Sequence, residues 1–247
     1  MAPRAPQPAA PAAPDDVVYE GSDLEALMSL RRYRQWIMDR IRDSISGRTL
    51  EVGAGLGAFS DLIRPHAGQL DMVEPSANLV PALRRRMAGV DGTTVFAGTY
   101  EDWLAQSAPD TYDTVIMINV LEHIEDDAAA LAGTRRALRP GGRLIVFVPA
   151  LMALYSRIDE LVGHFRRYHM APLTALVEGA GFTVREKSYF DLLGMAPWWL
   201  VNTLLGSTSF NPALAGLYDA VGVPVTRAVE SLLPPPVGKN ILLIAEK

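Results

Sequence analysis

The chain has 247 residues, 49% apolar and 21% charged, enough to build one α/β domain around a sizeable core. Its formal charge of −5 is the wrong sign for a protein that tracks a phosphate backbone, so no nucleic-acid partner is expected. With no cysteine, disulfides, thiolate metal sites and cysteine nucleophiles are excluded, and a cytoplasmic location is expected.

Residues 1–16 (MAPRAPQPAAPAAPDD) hold alanine and proline with no continuous apolar stretch, so a disordered tail is expected rather than a secretory signal. Residues 17–247 then read as a single domain. No segment reaches the roughly eighteen apolar residues that a membrane span requires. Ser22 with Glu25 makes an S-x-x-E capping box, and Leu24, Leu27, Met28, Leu30, Tyr33, Ile37 and Ile41 follow at helical spacing. A helical cover over 22–46, ended by Gly47, is predicted. The arginines along it, from Arg31 to Arg42, read as a solvated face or as contacts to an acidic ligand or membrane surface.

From Thr49 onward short apolar runs alternate with helical ones. Strands are predicted at Thr49–Val52, Gln69–Val73, Thr93–Ala97, Thr114–Ile118, Arg143–Val148, Phe182–Tyr189 and Asn240–Glu246. Helices are predicted near Phe59–Ile63, Asn78–Arg86, Asp127–Leu138 and Pro172–Gly179. This alternation implies a doubly wound, mostly parallel, Rossmann-like sheet with helices on both faces. Functional residues then belong just after the strands, at their carboxyl ends. Residues 191–237 interrupt the pattern with several prolines and no charge between Asp191 and Asp219, so a helical insertion or lid before the last strand is predicted.

After the first strand comes Glu51-Val52-Gly53-Ala54-Gly55-Leu56-Gly57. Such glycines let the backbone turn tightly and approach a ligand without a Cβ in the way. Gly53, Gly55 and Ala58 also fit a G-x-G-x-x-A dinucleotide loop, and Glu74, closing the second strand, suits the ribose of either cofactor. Then come TVIMINVLEHI (Thr114–Ile124) and LRPGG (Leu138–Gly142), the latter expected as a turn feeding a strand.

Over roughly residues 45 to 190 these four motifs, in this order, resemble the class I S-adenosylmethionine-dependent methyltransferases. The resemblance implies that Glu51, Gly53, Ala54 and Gly55 line the donor's methionine end and that Glu74 holds its ribose. It places Asn119 and Leu121 beside the sulfonium. The family's acid after the third strand is missing here, where Gly98 is followed by Thr99, leaving Glu101 to reach the adenine and Tyr100 to cover its face. Glu122-His123 resembles the metal-binding pair of some relatives, but Asn119 stands where those carry a further acid, so no metal is expected.

On the acceptor side, His123 is a candidate general base or a loop cap. The stretch Tyr155–Asp159 followed by Gly163-His164-Phe165-Arg166-Arg167-Tyr168 is similar to a pattern in a bacterial subgroup of these enzymes. Arg166 or Arg167 can hold a carboxylate or phosphate, with His164 or Tyr168 orienting or deprotonating a hydroxyl. Alternatively Asp159 pairs with one arginine and fastens the loop. The apolar run Leu192–Leu205, with Trp198 and Trp199, reads as core or dimer interface, as an acceptor pocket, or as a bilayer contact. The expectation is methyl transfer to a small, apolar acceptor, with oxygen favoured. An NAD(P)-dependent oxidoreductase and a non-catalytic donor-binding scaffold are the alternatives.

Overall fold

In the computed structural model the described residues are 18–19, 27–208 and 211–247. Seven strands form one sheet in the order β3-β2-β1-β4-β5-β7-β6. They are β1 Arg48–Val52, β2 Gln69–Glu74, β3 Thr93–Ala97, β4 Tyr112–Ile118, β5 Leu138–Pro149, β6 Thr183–Phe190 and β7 Asn240–Glu246. The first five run parallel, and β7 runs antiparallel to both β5 and β6. All seven expected strands therefore form. The chain winds outward from β1 to β3 and then restarts with β4 on the other side of β1, which opens a crevice at the carboxyl ends of β1 and β4.

The central strands are buried on both faces, which is why they read as unbroken apolar runs instead of alternating ones. Their side chains still alternate between two cores. On one side Val115, Met117, Leu144 and Val146 share a core with residues of α4 (Tyr100–Gln106), α5 (Asp127–Ala137) and α7 (Met170–Gly179). On the other, Ile116, Ile145 and Phe147 meet α1 (Arg31–Ile41), α2 (Ser60–Ile63) and α3 (Val80–Met87). Helix α1 buries Tyr33, Trp36, Ile37, Met38 and Ile41 on one stripe. Full burial of such side chains stabilises by about 1.5–3 kcal/mol apiece.

Several expectations need correction. The Ser22–Glu25 capping box and residues 1–16 lie outside the described residues. The N-terminal helix is interrupted at Leu30 and gives way after Ile41 to a 3-10 turn, Arg42–Ser44. Its arginines are not simply solvated: Arg34 donates to the carbonyls of Met28 (2.8 Å) and Ala58 (2.6 Å), and Arg40 pairs with Glu186 at 2.6 Å. Helix α4 was not predicted, although Thr99 and Asp102 cap each other reciprocally at its start. LRPGG is not a separate turn; it lies within β5, beside a register shift between Tyr112 and Thr114.

Residues 191–237 carry α8 (Met195–Trp198), α9 (Pro212–Leu217) and α10 (Val223–Leu232), with π-helical turns at Trp199–Leu204 and Tyr218–Gly222. The Leu192–Leu205 run is not core packing, since Trp199, Leu200, Leu204 and Leu205 are exposed. Helix α6 (Arg157–Leu161) follows β5 after a 3-10 turn and leads into the loop that carries His164 to Tyr168. No helix among the described residues is long and apolar enough to cross a membrane.

Candidate active site

The loop after β1 turns through Gly53 (φ 69°) and Gly55 (φ 56°), both in the left-handed region that favours glycine. A Cβ on Gly53 would stand 2.6 Å from Val120 Cγ2, so the loops after β1 and β4 approach each other there only because Gly53 has no side chain. Glu74 ties the loop to β2: one carboxylate oxygen accepts from Gly55 N (2.7 Å), the other from Ser76 N (2.9 Å). Glu51 accepts from the Ser60 hydroxyl at 2.5 Å. Burial pushes the Glu51 carboxyl up to about 8, against the Ser60 hydrogen bond, which lowers it. Burial also raises Glu74, opposed by the Ser76 and Gly55 contacts.

These residues open onto a cavity of about 1040 Å³. Of the residues expected at the donor, Glu51, Gly53, Ala54, Gly55, Glu74, Tyr100, Glu101 and Asn119 all line it. Leu121 does not; it is fully buried in the core. Asn119 adopts φ 52°, a left-handed conformation that asparagine tolerates, while its N–H reaches Phe147 O at 2.8 Å. The Tyr100 ring is buried, with its hydroxyl hydrogen-bonded to Thr134 Oγ1 at 2.6 Å, whereas Glu101 is exposed on the first turn of α4.

The cavity extends to His123, Phe147, Ile158, His164, Trp198 and Lys239. Asp159 organises that end. It is fully buried and accepts from Ser156 N (2.8 Å), His164 Nδ1 (2.8 Å), and Arg167 Nε (2.8 Å) and Nη2 (3.1 Å). Burial opposes its ionisation, yet the hydrogen bonds from His164 and Arg167 hold it down at about 2. Arg167 is committed to this pair and lies over the Trp198 ring at 4.9 Å. Arg167 also lines the cavity, and its pairing with Asp159 is the loop-fastening alternative. Arg166 pairs with Asp127 at 2.6 Å, and Tyr168 donates to the same carboxylate at 2.9 Å. Neither lines the large cavity, nor does the exposed Trp199, so the expected acceptor roles of Arg166, Tyr168 and Trp199 find no support in the geometry.

His123 and His164 do line the cavity, with ring centroids 4.6 Å apart and planes nearly perpendicular. Burial lowers His123 to about 4, far from the value that suits a base at neutral pH. Beneath them Glu122 is fully buried; burial raises it to about 7. One ligand atom from each of Glu122, His123 and His164 lies within 4.8 Å of the others, the one such cluster among the described residues.

The sequence reading missed Tyr33, Lys239 and Asn240, which also line the cavity. Lys239 pairs with buried Asp191 at 2.7 Å, and the Tyr33 hydroxyl donates to Asn240 Oδ1 at 3.0 Å. Because β7 runs antiparallel, its first residue lies opposite Pro149, at the edge where the parallel strands end. An antiparallel last strand was the signal that could have found Lys239 and Asn240.

Residues 50–144 match the family model described as "Methyltransferase domain". The chain is 31% identical over 169 residues to a ubiquinone biosynthesis O-methyltransferase of Aeromonas salmonicida, covering 62% of this chain and 70% of that one. It is 30% identical over 158 residues to a probable S-adenosylmethionine-dependent methyltransferase of Mycolicibacterium smegmatis, covering 63% of this chain and 60% of that protein. It thus spans less than two thirds of the length of the mycobacterial relative. In fold it is similar to an S-adenosylmethionine-dependent methyltransferase from Archaeoglobus fulgidus, with a TM-score of 0.56 and 16% identity, covering 87% of this chain and 94% of that one.

Proposed function

Because the chain belongs to the class I S-adenosylmethionine-dependent methyltransferases, we propose that its acceptor is a small, largely apolar molecule and that the methyl group goes to an acceptor oxygen. The observation that carries this reading is the continuity of the cavity. One space of about 1040 Å³, at the upper end of the range for ligand pockets, contains both the glycine loop and an end walled by Phe147, Ile158 and Trp198. It has room for a donor and a modest acceptor together. The O-methyltransferase relative favours oxygen as the atom methylated.

The residues at the glycine loop suit the donor's chemistry. Glu51 and Glu74 are carboxylic acids in a cavity that would receive a cationic sulfonium and a ribose diol. The donor supplies a methyl carbon made electrophilic by positive sulfur. In the transfer the C–S bond would break with its electron pair left on sulfur as a neutral thioether, an acceptor oxygen lone pair would form the new C–O bond, and the hydroxyl proton would pass to solvent. The protein's contribution is to align the two molecules in one cavity. Glu74 holds the ribose, the Gly53–Gly55 backbone allows close approach, and the Asp159–Arg167 pair fixes the loop over the acceptor end.

Calorimetric titration with S-adenosylmethionine, its demethylated product and NADPH tests the donor side. Micromolar binding of the first two and none of the third is expected. Incubation with methyl-labelled donor and a panel of apolar alcohols, phenols, amines and acids tests the acceptor. Label in ethers or esters is the expected result; label only in amines overturns the oxygen assignment.

A further inference from the structure

We infer that Glu122, His123 and His164 form a binding site for one divalent transition-metal ion, with Zn²⁺ the ion best matched to the ligand set. The expectation of no metal rested on residues 119–123 alone. The fold adds His164, from the loop after α6, and changes the set from oxygen ligands to two imidazoles and one carboxylate.

The first ground is an unpaired buried carboxyl. Glu122 is fully buried, and neither of its carboxylate oxygens has a hydrogen-bond partner among the described residues. A buried polar group left unpaired is costly, and an unpaired charge more so. Of the two arginines of this loop, Arg167 is already matched to Asp159 by two hydrogen bonds and Arg166 to Asp127. What remains around Glu122 is imidazole, and both of its buried oxygens stay free to ligate a cation.

The second ground is orientation. Asp159 accepts from Ser156 and Arg167, so it acts as acceptor toward His164 too, and His164 Nδ1 carries the proton. That tautomer leaves a lone pair on Nε2, which stands 3.8 Å from Glu122 Oε1. The two face each other across a gap that a bound cation would bridge. A carboxylate that orients a histidine through its other nitrogen is the arrangement that metal-ligating histidines ordinarily have.

Distance and ligand type agree. Ligands about 2.1 Å from a tetrahedral ion stand about 3.4 Å apart, so the cluster closes on an ion with side-chain movements of about an ångström. Two histidines and a glutamate form the three-ligand set of catalytic zinc sites, which keep an open fourth position. Mg²⁺ and Ca²⁺ prefer more oxygen ligands than this site offers. Since His123 and His164 line the cavity, the open position faces the acceptor end, where it would lower the pKa of an acceptor hydroxyl and release its proton to solvent. That last role rests on the oxygen-acceptor reading; metal binding itself does not.

The test uses the full chain without a histidine tag, stripped with EDTA and titrated with Zn²⁺ and with Co²⁺. One ion per chain is expected, and Co²⁺ should give the strong visible bands of low coordination. Glu122→Gln and His164→Ala should each weaken Zn²⁺ binding about 100-fold or more, while His169→Ala, an exposed histidine outside the cluster, changes nothing. Should either variant fail to fold, wild-type stoichiometry and the Co²⁺ spectrum still decide. Absence of stoichiometric binding to wild type, or binding that survives both substitutions, overturns the proposal. Zinc binding without methylation of any hydroxyl would sink the oxygen-acceptor reading alone. Donor binding and hydroxyl methylation by metal-free protein would leave that reading standing and remove the metal from it.

Discussion

Replacing Glu74 by alanine separates the loop contacts of this carboxylate from the ribose-binding role proposed for it. It is 3% exposed, and its two oxygens accept from Gly55 N at 2.7 Å and Ser76 N at 2.9 Å. Truncation leaves both buried N–H groups without partners, at about 1–3 kcal/mol each. The expected stability loss is therefore about 2–6 kcal/mol, so the variant folds with a clearly lowered melting temperature. The donor loses two charge-assisted hydrogen bonds from its ribose hydroxyls, worth about 1.5–3 kcal/mol each. That sum of about 3–6 kcal/mol corresponds to a rise of roughly 10²- to 10⁴-fold in Kd. Thermal unfolding with and without S-adenosylmethionine, beside calorimetric titration at a temperature where the variant is folded, measures both effects. Glu74→Gln keeps the shape of the side chain and should recover part of the stability but little of the affinity. A lowered melting temperature with unchanged donor affinity would refute the ribose assignment and leave Glu74 as a loop staple.

Gly53→Ala places a side chain where the backbone is left-handed, at about 1–2 kcal/mol, and drives its Cβ against Val120. Donor affinity and melting temperature should both fall, and adding Val120→Ala should restore part of each; an unchanged single variant would show that the two loops yield freely. Arg167→Ala strips the counter-charge from buried Asp159 and should cost about 3–5 kcal/mol by chemical denaturation. Arg166→Ala breaks a half-exposed pair with Asp127 and should cost no more than about 1 kcal/mol; equal losses would contradict the loop-fastening role given to Arg167. The Glu51 carboxyl has a folded pKa raised to about 8, above its unfolded value, so between about pH 4.5 and 8 the folded state holds the extra proton and this group's contribution to stability falls as pH rises. A cationic donor favours the ionised form, so donor affinity should rise between pH 6 and 8, by up to about tenfold per pH unit. Glu51→Gln should flatten that profile, and an identical slope in the variant would exclude Glu51 as its source.

The donor half of the site was legible in the sequence because it is built from local features. A strand, a glycine turn with left-handed backbone and an acid at the end of the next strand are fixed by residues close together in the chain, and the doubly wound order then brings them to one crevice. Helix α4 was missed although its signal is local: Thr99 and Asp102 are three residues apart and form a capping box. Tertiary structure alone decided the acceptor half. Nothing in GHFRRY says that Arg167 pairs with Asp159 while Arg166 and Tyr168 pair with Asp127; on a loop without regular periodicity, partner choice is made by whichever carboxylate packing brings near. Lys239 and Asn240 reach the cavity only because β7 reverses direction, and Glu122 meets His164 only because the loop after α6 folds back over the end of β4. Backbone conformation and strand burial are written in short stretches of sequence. The pairing of charges across forty residues or more is settled by the fold, because a buried charge must find its counterpart wherever the packing places one.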